Sequence, residues 1–431
     1  MLEPAKPVKI AVLGPGTVGA QVVRLLTEQS EDLAQRVGAP VEIVGIYVRD
    51  TSKPRDALIP PALLTDDVHA LIARADLVVE LMGGIEPAKS LLLEAIGAGT
   101  SVVTANKALL AAHGPELFEA ADAANVDLYF EASVAGAIPL IRPVRESLAG
   151  DHVNRIVGIV NGTTNYVLDE MTTRALDYDV AVKQAQDLGY AEADPTADVE
   201  GFDAAAKAAI LASLAFHQRV HVDDVHREGM SGITAADIAS ASESGHVIKL
   251  LAIAERTTDG VTARVHPALV PLGHPLAGVH GAFNAVFIEA EAAGQLMFYG
   301  QGAGGTPTAS AVLGDIVSVA RHIAQGGHGP RESHYADLPV LPIESSHSRF
   351  QLRMSVHDRP GVLAVIATTL AALGISIETV RQKTGGAETG LATIVIATHR
   401  APEAQVAQVL DQLKAADAVI EILSVLRIEG E

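Results

Sequence analysis

The sequence predicts an α/β chain in three parts: a doubly wound parallel sheet, an α+β unit on an open sheet, and a compact βαββαβ unit of ferredoxin-like order. Three observations carry this. A glycine-rich turn, Gly14-Pro15-Gly16-Thr17-Val18-Gly19, stands close to the N-terminus between a β-branched run and a helical pattern. Short apolar strands then alternate with helical stretches up to about residue 125, the rhythm of parallel βαβ units. Residues 349–431 give strand–helix–strand twice over, behind a segment rich in Gly, Pro, Ser and His.

The first strand is read at 8–13, followed by one helical pattern over 20–37 and a second strand at 41–48 that closes on Arg49-Asp50. Buried strands are read at 75–81 and 101–104, with helices near 86–98 and 108–124 between and after them. From about residue 127 the texture changes: strands at 128–134 and 154–160, helices at 163–172, 178–187 and 202–216, then longer alternating strands between 246 and 300. That is the pattern of a mixed or antiparallel open sheet with helices on one face. A helix over 308–323 is expected to return to the first unit. The divisions read from this are 1–130 (completed by a helix at about 305–325), 131–304, a linker at 325–348, and 349–431. In the last part, strands at 351–356, 376–382, 390–398 and 419–427 enclose helices at 362–373 and 403–415.

At 431 residues, two or three domains are expected. Hydrophobic residues make up 48% and aromatics only 3%, with no Trp, so the cores must be built from Ala, Val, Leu and Ile. There is no cysteine, which removes disulfides, thiolate nucleophiles, acyl-thioester intermediates and cysteine metal sites. A net charge of −21 argues against nucleic acid and anionic membrane as partners, since both call for a positive surface. No apolar run is long enough to span a bilayer, and residues 1–7 lack the apolar core of a secretory signal, so a cytoplasmic location is expected.

The chemistry is concentrated in a few places. In a strand–turn–helix setting, Gly14 serves the tight turn, Gly16 lets a pyrophosphate approach the backbone, and Gly19 packs helix on sheet, the fingerprint of a Rossmann-type dinucleotide site. At the end of the second strand an acidic group would favour the ribose diol of NAD and an arginine the 2′-phosphate of NADP; Arg49 and Asp50 supply both, with Arg49 and NADP slightly favoured. Thr104-Ala105-Asn106-Lys107 follows a buried strand at its C-terminal end, the edge that faces the ligand crevice in such sheets. Lys207 is a lone cation in an apolar helical run, with Asp203 one turn earlier on the same face, so it reads as a buried ion pair or a tuned proton donor. Just before it, residues 192–203 hold five carboxylates in twelve positions without a Ca²⁺-loop spacing, a loop able to grasp an ammonium group. Asn161-Gly162-Thr163-Thr164-Asn165 opens a helix and offers either a polar-group site or simple capping.

Together these strings resemble homoserine dehydrogenases that carry a C-terminal ACT domain. The resemblance is carried by GPGTVG (14–19), VVTANKAL (102–109), YFEASVAGAIPLI (129–141), VNGTTNY (160–166), LGYAEADPTADVEGFDAAAK (188–207) and GQGAGGTPTASAVLGD (300–315), with HDRPGVLAVIATTLAALGISI (357–377) similar to the ACT signature. It implies a nucleotide-binding unit, a substrate-binding and dimerisation unit and a regulatory unit, in that order. The implied reaction is NAD(P)H-dependent, reversible reduction of L-aspartate 4-semialdehyde to L-homoserine. It further implies L-threonine as effector and a homodimer or homotetramer. By the same resemblance Lys107 and Lys207 are the acid/base and substrate-polarising lysines, with Asp203 beside them. Glu192 and Asp198 hold the substrate amino group, lined by Gly162, Thr163 and Tyr190. Gly14, Gly16, Thr17, Val18, Gly19, Arg49, Thr104, Lys107 and Gly302 meet the cofactor. A sodium-like monovalent cation is implied at Glu131 and the carbonyls of Val134, Gly136 and Ile138. An effector sensor without turnover is the rival from another class, and the intact Lys107, Asp203 and Lys207 argue against it.

Overall fold

The structure is a computed structural model and describes residues 6–331, 336–384 and 390–430. The reading of the extreme N-terminus (1–5) and part of the expected linker (332–335) lie outside the described residues. Among the described residues no helix is long and apolar enough to cross a membrane.

The first sheet is six-stranded and parallel, in the order β3-β2-β1-β4-β5-β6. Its strands are β1 (Val8–Leu13), β2 (Val41–Tyr47), β3 (Leu64–Thr65), β4 (Leu77–Glu80), β5 (Ser101–Thr104) and β6 (Leu128–Tyr129). The helices between them are α1 (Thr17–Glu28), α2 (Ser30–Val37), α3 (Val68–Ile72), α4 (Ala88–Gly97) and α5 (Lys107–Ala124). β4 and β5 are buried along their whole length because helices cover both faces, which is why they read as unbroken apolar runs. The strand order reverses between β1 and β4, and a crevice opens at the C-terminal ends of the strands at such a point.

The single helix expected over 20–37 is two. Gln29 leaves the helical region (φ −107°, ψ 17°), and Ser30 restarts the chain with Glu31 and Asp32 in the first turn, where carboxylates suit the helix N-terminus. Leu33 and Val37 are thereby turned into the core. The strand expected over 128–134 also stops early, at Tyr129. Residues 131–133 instead form a 3₁₀ turn, because the buried Glu131 carboxylate collects the backbone N–H groups of Leu140 (2.5 Å), Ile141 (2.7 Å) and Arg142 (3.0 Å).

The second unit contributes β7 (Val153–Ile159), α6 (Gly162–Thr173), α7 (Tyr178–Asp187), α8 (Thr196–Val199), α9 (Phe202–Phe216), β8 (His226–Arg227), α10 (Ala235–Glu243), β9 (His246–Arg256), β10 (Val261–Pro271), β11 (Phe283–Ala290) and β12 (Gly294–Gln301). The long helix α11 (Gly305–Gln325) then returns to the first unit, where Ala309, Val312, Ile316 and Val319 share a core with Val22, Val23 and Leu26 of α1.

The C-terminal part holds β13 (His347–His357), α12 (Val362–Ala372), β14 (Ile377–Thr384), β15 (Leu391–Thr398), β16 (Ala401–Pro402), α13 (Glu403–Lys414) and β17 (Val419–Ile428). It has its own apolar core around Phe350, Leu352, Ile394 and Val409. Yet it is not a free appendage behind a linker. β17 pairs in parallel with β10 (Ala268 with Arg427, Leu269 with Ile428), giving one eleven-stranded sheet in which nine strands run in the order β12-β11-β7-β9-β10-β17-β13-β15-β14, with β8 beside β10 and β16 beside β13. Charges seal the joint. Arg427 reaches both oxygens of Glu228, each at 2.9 Å, and Glu429 pairs with Arg264 (3.2 Å) and Arg155. The segment between the units is fastened too: Pro339 and Leu341 bond to Val261, and Gly329 N–H to Asp127 at 2.7 Å.

Candidate active site

An open cleft of about 2080 Å³ lies between the C-terminal edge of the parallel sheet and the second unit. Its walls come from the loops after β4 and β5, residues 132–136, the start of α6, the 188–192 loop, the first turns of α9, and residues 282–283 and 301–304.

Helix α9 is buried on nearly every side, so Lys207 cannot carry its charge out to water along its own stem. Its ammonium instead donates to Asp203 Oδ2 (2.7 Å) and to the carbonyl of Val160 (2.6 Å). The other Asp203 oxygen accepts from Lys107 Nζ. Burial pushes the Asp203 carboxyl pKa up, but the two ammonium groups and their hydrogen bonds outweigh it and hold the group well below the usual carboxylate range. Asp203 is therefore an anion throughout the physiological range. An ammonium has three donors. Two of those on Lys207 are engaged within the protein and one is left for the cleft; Lys107, half exposed, keeps two.

Asn161 caps α6 through Thr164 N–H (2.9 Å), and its amide group donates to both Asp198 (2.7 Å) and Asp203 (2.9 Å). Of the two alternatives the geometry shows the capping one, in which the capping residue also orients two acids. Lys107 is placed by its neighbour: Asn106 caps α5 at Leu109 N–H (3.1 Å) and ties back to the Gly84 carbonyl (2.6 Å). Thr104, expected at the cofactor, faces away from the cleft wall. It is fully buried, donating to Glu80 (2.6 Å) and accepting from Asn106 N–H (3.0 Å). Glu80 in turn holds Met82 and Gly83 N–H at 2.7 and 3.1 Å. Glu80 and Asn106 were missed as site-builders; the acid that closes an otherwise apolar strand was the available signal.

Of the five carboxylates between 192 and 203, the fold brings three to the cleft: Glu192, Asp198 and Asp203. Asp194 instead accepts from the Thr196 N–H (3.1 Å) and hydroxyl (2.6 Å), and Glu200 from the Ser231 hydroxyl (2.6 Å). Gly162, Thr163 and Tyr190 line the cleft as expected, with the Thr163 hydroxyl on the Tyr190 carbonyl (2.5 Å). Gly162 is required by space, since a Cβ there would lie 2.6 Å from the Ala282 carbonyl oxygen.

The glycine-rich turn has the geometry a dinucleotide needs. Gly14 has φ +95°, Gly16 has open space where its Cβ would stand, and a Cβ on Gly19 would lie 2.2 Å from the Gly14 oxygen. Thr17 and Val18 begin α1, whose N-terminus meets that of α11 where Gly305 packs on Thr17. Gly302 lines the cleft. Arg49 is exposed and bonds to no described residue, while Asp50 is already engaged by Ser52 N–H (3.0 Å) and hydroxyl (2.6 Å). These residues fit a nicotinamide dinucleotide.

The expected cation ligands fit only in part. All four of the Glu131 carboxylate bonds go to N–H groups, three of backbone and one from Arg142 Nε (3.1 Å), so that carboxylate is not available to an ion. The carbonyls of Val134, Gly136 and Ile138 are different. They belong to buried residues in a turn with two consecutive left-handed positions, Ala135 (φ +60°) and Gly136 (φ +58°), and receive no hydrogen bond from a described residue.

Comparison with known proteins gives a consistent result. The homoserine dehydrogenase domain family matches residues 139–317, the homoserine dehydrogenase NAD-binding domain 14–131 and the ACT domain 350–418. Homoserine dehydrogenase of Corynebacterium glutamicum is 55% identical, with 99% of this chain and 97% of that protein covered. That of Mycobacterium tuberculosis is 57% identical, with 99% and 98% covered. Among solved structures, a homoserine dehydrogenase from Thiobacillus denitrificans aligns with a TM-score of 0.93 at 40% identity, covering 99% of both chains. A hyperthermophilic archaeal homoserine dehydrogenase in complex with NADPH aligns over 73% of this chain and 98% of its own, with a TM-score of 0.61 at 27% identity.

Proposed function

The chain belongs to the homoserine dehydrogenase family, NAD(P)-dependent oxidoreductases acting on a CH–OH group, and from that premise we propose how its cleft works. The substrate pair is L-aspartate 4-semialdehyde and L-homoserine, in the biosynthesis of threonine, methionine and isoleucine. The observation that carries the reading is the single buried carboxylate, Asp203, joined to two lysines at the cleft wall.

A bound reduced nicotinamide supplies the hydride. As the aldehyde carbon accepts it, negative charge builds on the carbonyl oxygen, and a positioned ammonium stabilises that charge and delivers the proton. Lys207 offers its one remaining N–H to that oxygen and gives up the proton as the alcohol forms. Lys107 adds a second positive group and, being half exposed, exchanges protons with water. Asp203 holds both amines in place through its two carboxylate oxygens. Glu192, whose carboxylate has no partner among the described residues, and Asp198, oriented by Asn161, receive the substrate ammonium at the other end.

NADP is favoured over NAD, because Arg49 is free to meet a 2′-phosphate while Asp50 is occupied by Ser52. The Val134, Gly136 and Ile138 carbonyls would hold a sodium-like monovalent cation that stiffens the turn beside the cleft. L-threonine acts through the ACT unit, whose sheet is continuous with that of the substrate unit. A homodimer or homotetramer in the cytoplasm completes the reading, supported by the exposed Met297 and Tyr299 on the edge strand β12. The test is spectrophotometric: purified protein should oxidise NADPH when given aspartate semialdehyde. A flat trace with fresh substrate would favour a sensor without turnover.

A further inference from the structure

Lys249 lies on β9 with 2% of its surface exposed, and among the described residues no carboxylate is within hydrogen-bond reach of its ammonium. A charge so placed is costly, and a hydrophobic residue would fill the space without that cost. What the lysine does instead is specific. It donates to Asn165 Oδ1 at 2.9 Å and to the Val279 carbonyl at 2.6 Å. Asn165, one turn along α6 from Asn161, directs its amide N–H groups at the carbonyls of Val279 (3.2 Å), Gly281 (2.8 Å) and Phe283 (3.3 Å). Asp169, a further turn along, holds the same loop through Gly281 N–H and His280 Nδ1, both at 2.8 Å. This loop carries Ala282 and Phe283 into the cleft wall, with the Ala282 carbonyl packed on Gly162.

We propose that Lys249 is a positioning residue for the substrate cleft, locking the 279–283 loop through Asn165 against the helix whose first turn bears Asn161, Gly162 and Thr163. This rests on the reading of the cleft as the aldehyde and alcohol site. Burial pulls the Lys249 pKa down from 10.5 to about 8, opposed by Asp169, the charged group facing it from α6, which His280 of the loop engages. Below that pH the lock is an ammonium whose two bonds are charge-assisted; above it, a neutral amine keeps both bonds with its two donors, but as weaker neutral ones. The stability effect has the opposite sense. A lysine whose folded pKa is depressed binds fewer protons folded than unfolded between about 8 and 10.5, so its contribution to stability rises with pH through that window. The cleft should loosen on the alkaline side while the fold does not.

The experiment is steady-state kinetics of the full-length enzyme from pH 6.5 to 9.5 in both directions, with thermal melts in the same buffers. Wild type should show KM for homoserine rising several-fold through pH 8 with no loss of melting temperature. Lys249→Met should show a KM about 10-fold higher at every pH, without the step, with kcat within about threefold and the cofactor KM unchanged. Titration of the substrate's own amino group is common to both enzymes and cancels in the comparison. Asn165→Leu should reproduce the Lys249→Met pattern. A folded Lys249→Met with wild-type KM and pH profile overturns the proposal. If neither variant folds, a wild-type KM that tracks only the substrate amine, measured in parallel by NMR titration, overturns it as well. Should Lys207→Met stay fully active, the reading of the cleft falls. A silent Lys249→Met beside a dead Lys207→Met removes the lock alone.

Discussion

Lys107 and Lys207 hold opposite oxygens of one carboxylate, that of Asp203, although they come from α5 and α9 on different units of the chain. The pairing joins the cofactor side of the cleft to the substrate side through a single buried anion. Any change in how the two units sit against each other is therefore felt at the reacting oxygen.

Removing either amine should be severe. Lys207→Met and Lys107→Met are each expected to lower kcat by about 10²-fold or more, the scale of a lost general acid or charge stabiliser. Stopped-flow reduction of aspartate semialdehyde checks this, and near-normal turnover in Lys207→Met would contradict the assigned role.

Asp203→Asn should disable both amines at once and also destabilise the fold, because Lys207 is left buried without a counter-ion. Breaking one side of a buried pair costs about 3–5 kcal/mol, the half-exposed Lys107 adding little. The pH sense follows from the depressed carboxyl pKa. The stabilisation is present above the ordinary carboxylate range and is lost as pH falls through and below it, so the gap between wild type and variant should narrow below about pH 4. Urea titrations at pH 7, 5 and 3 measure it.

Gly19→Ala should weaken cofactor binding rather than chemistry, since its Cβ would press on the Gly14 oxygen and displace the turn. A rise of about 10-fold or more in the NADPH dissociation constant is expected by fluorescence titration, from a loss of about 1.4 kcal/mol per decade. An unchanged constant would mean that the turn does not meet the pyrophosphate.

Arg49→Ala is expected to raise KM for NADP by about 10-fold while leaving KM for NAD nearly unmoved, the signature of a lost 2′-phosphate contact. Initial rates with both cofactors decide it, and equal effects on the two would assign Arg49 no part in the choice.

Deleting the chain after Ser345 should cost stability as well as regulation. The deletion exposes the β10 edge and strips Glu228 and Arg264 of Arg427 and Glu429. With several kcal/mol lost from broken buried pairs, the melting temperature should fall by about 10 °C or more. Acid should open the same joint. Burial raises the Glu429 carboxyl pKa, but Arg264 and Arg155 hold it down to about 2, so its contribution is present above 4.5 and lost as pH falls toward 2. Threonine response is therefore better tested by titrating the whole enzyme.

Much of the site was legible because local chemistry forces it. A GxGxxG turn between strand and helix has few other uses, and a lysine in an alanine-rich helix needs the acid one turn before it. The split of the 20–37 helix was written in Ser30-Glu31-Asp32, but a continuous apolar pattern hid it. Thr104 shows the opposite limit: strand-end position put it near the cleft, and only the buried Glu80 carboxylate turned its hydroxyl away.

Periodicity, glycine placement and the spacing of charges act over a few residues, and these set the three units, the nucleotide turn and the Asp203–Lys207 pair. What they do not contain is the direction from which a distant group arrives. Lys107 on the second Asp203 oxygen, Glu131 consumed by backbone N–H groups, Lys249 beneath the 279–283 loop, and β17 welded to β10 all depend on packing between segments far apart in the chain. Buried charges accept whichever partner the fold delivers, so only the tertiary structure could name it.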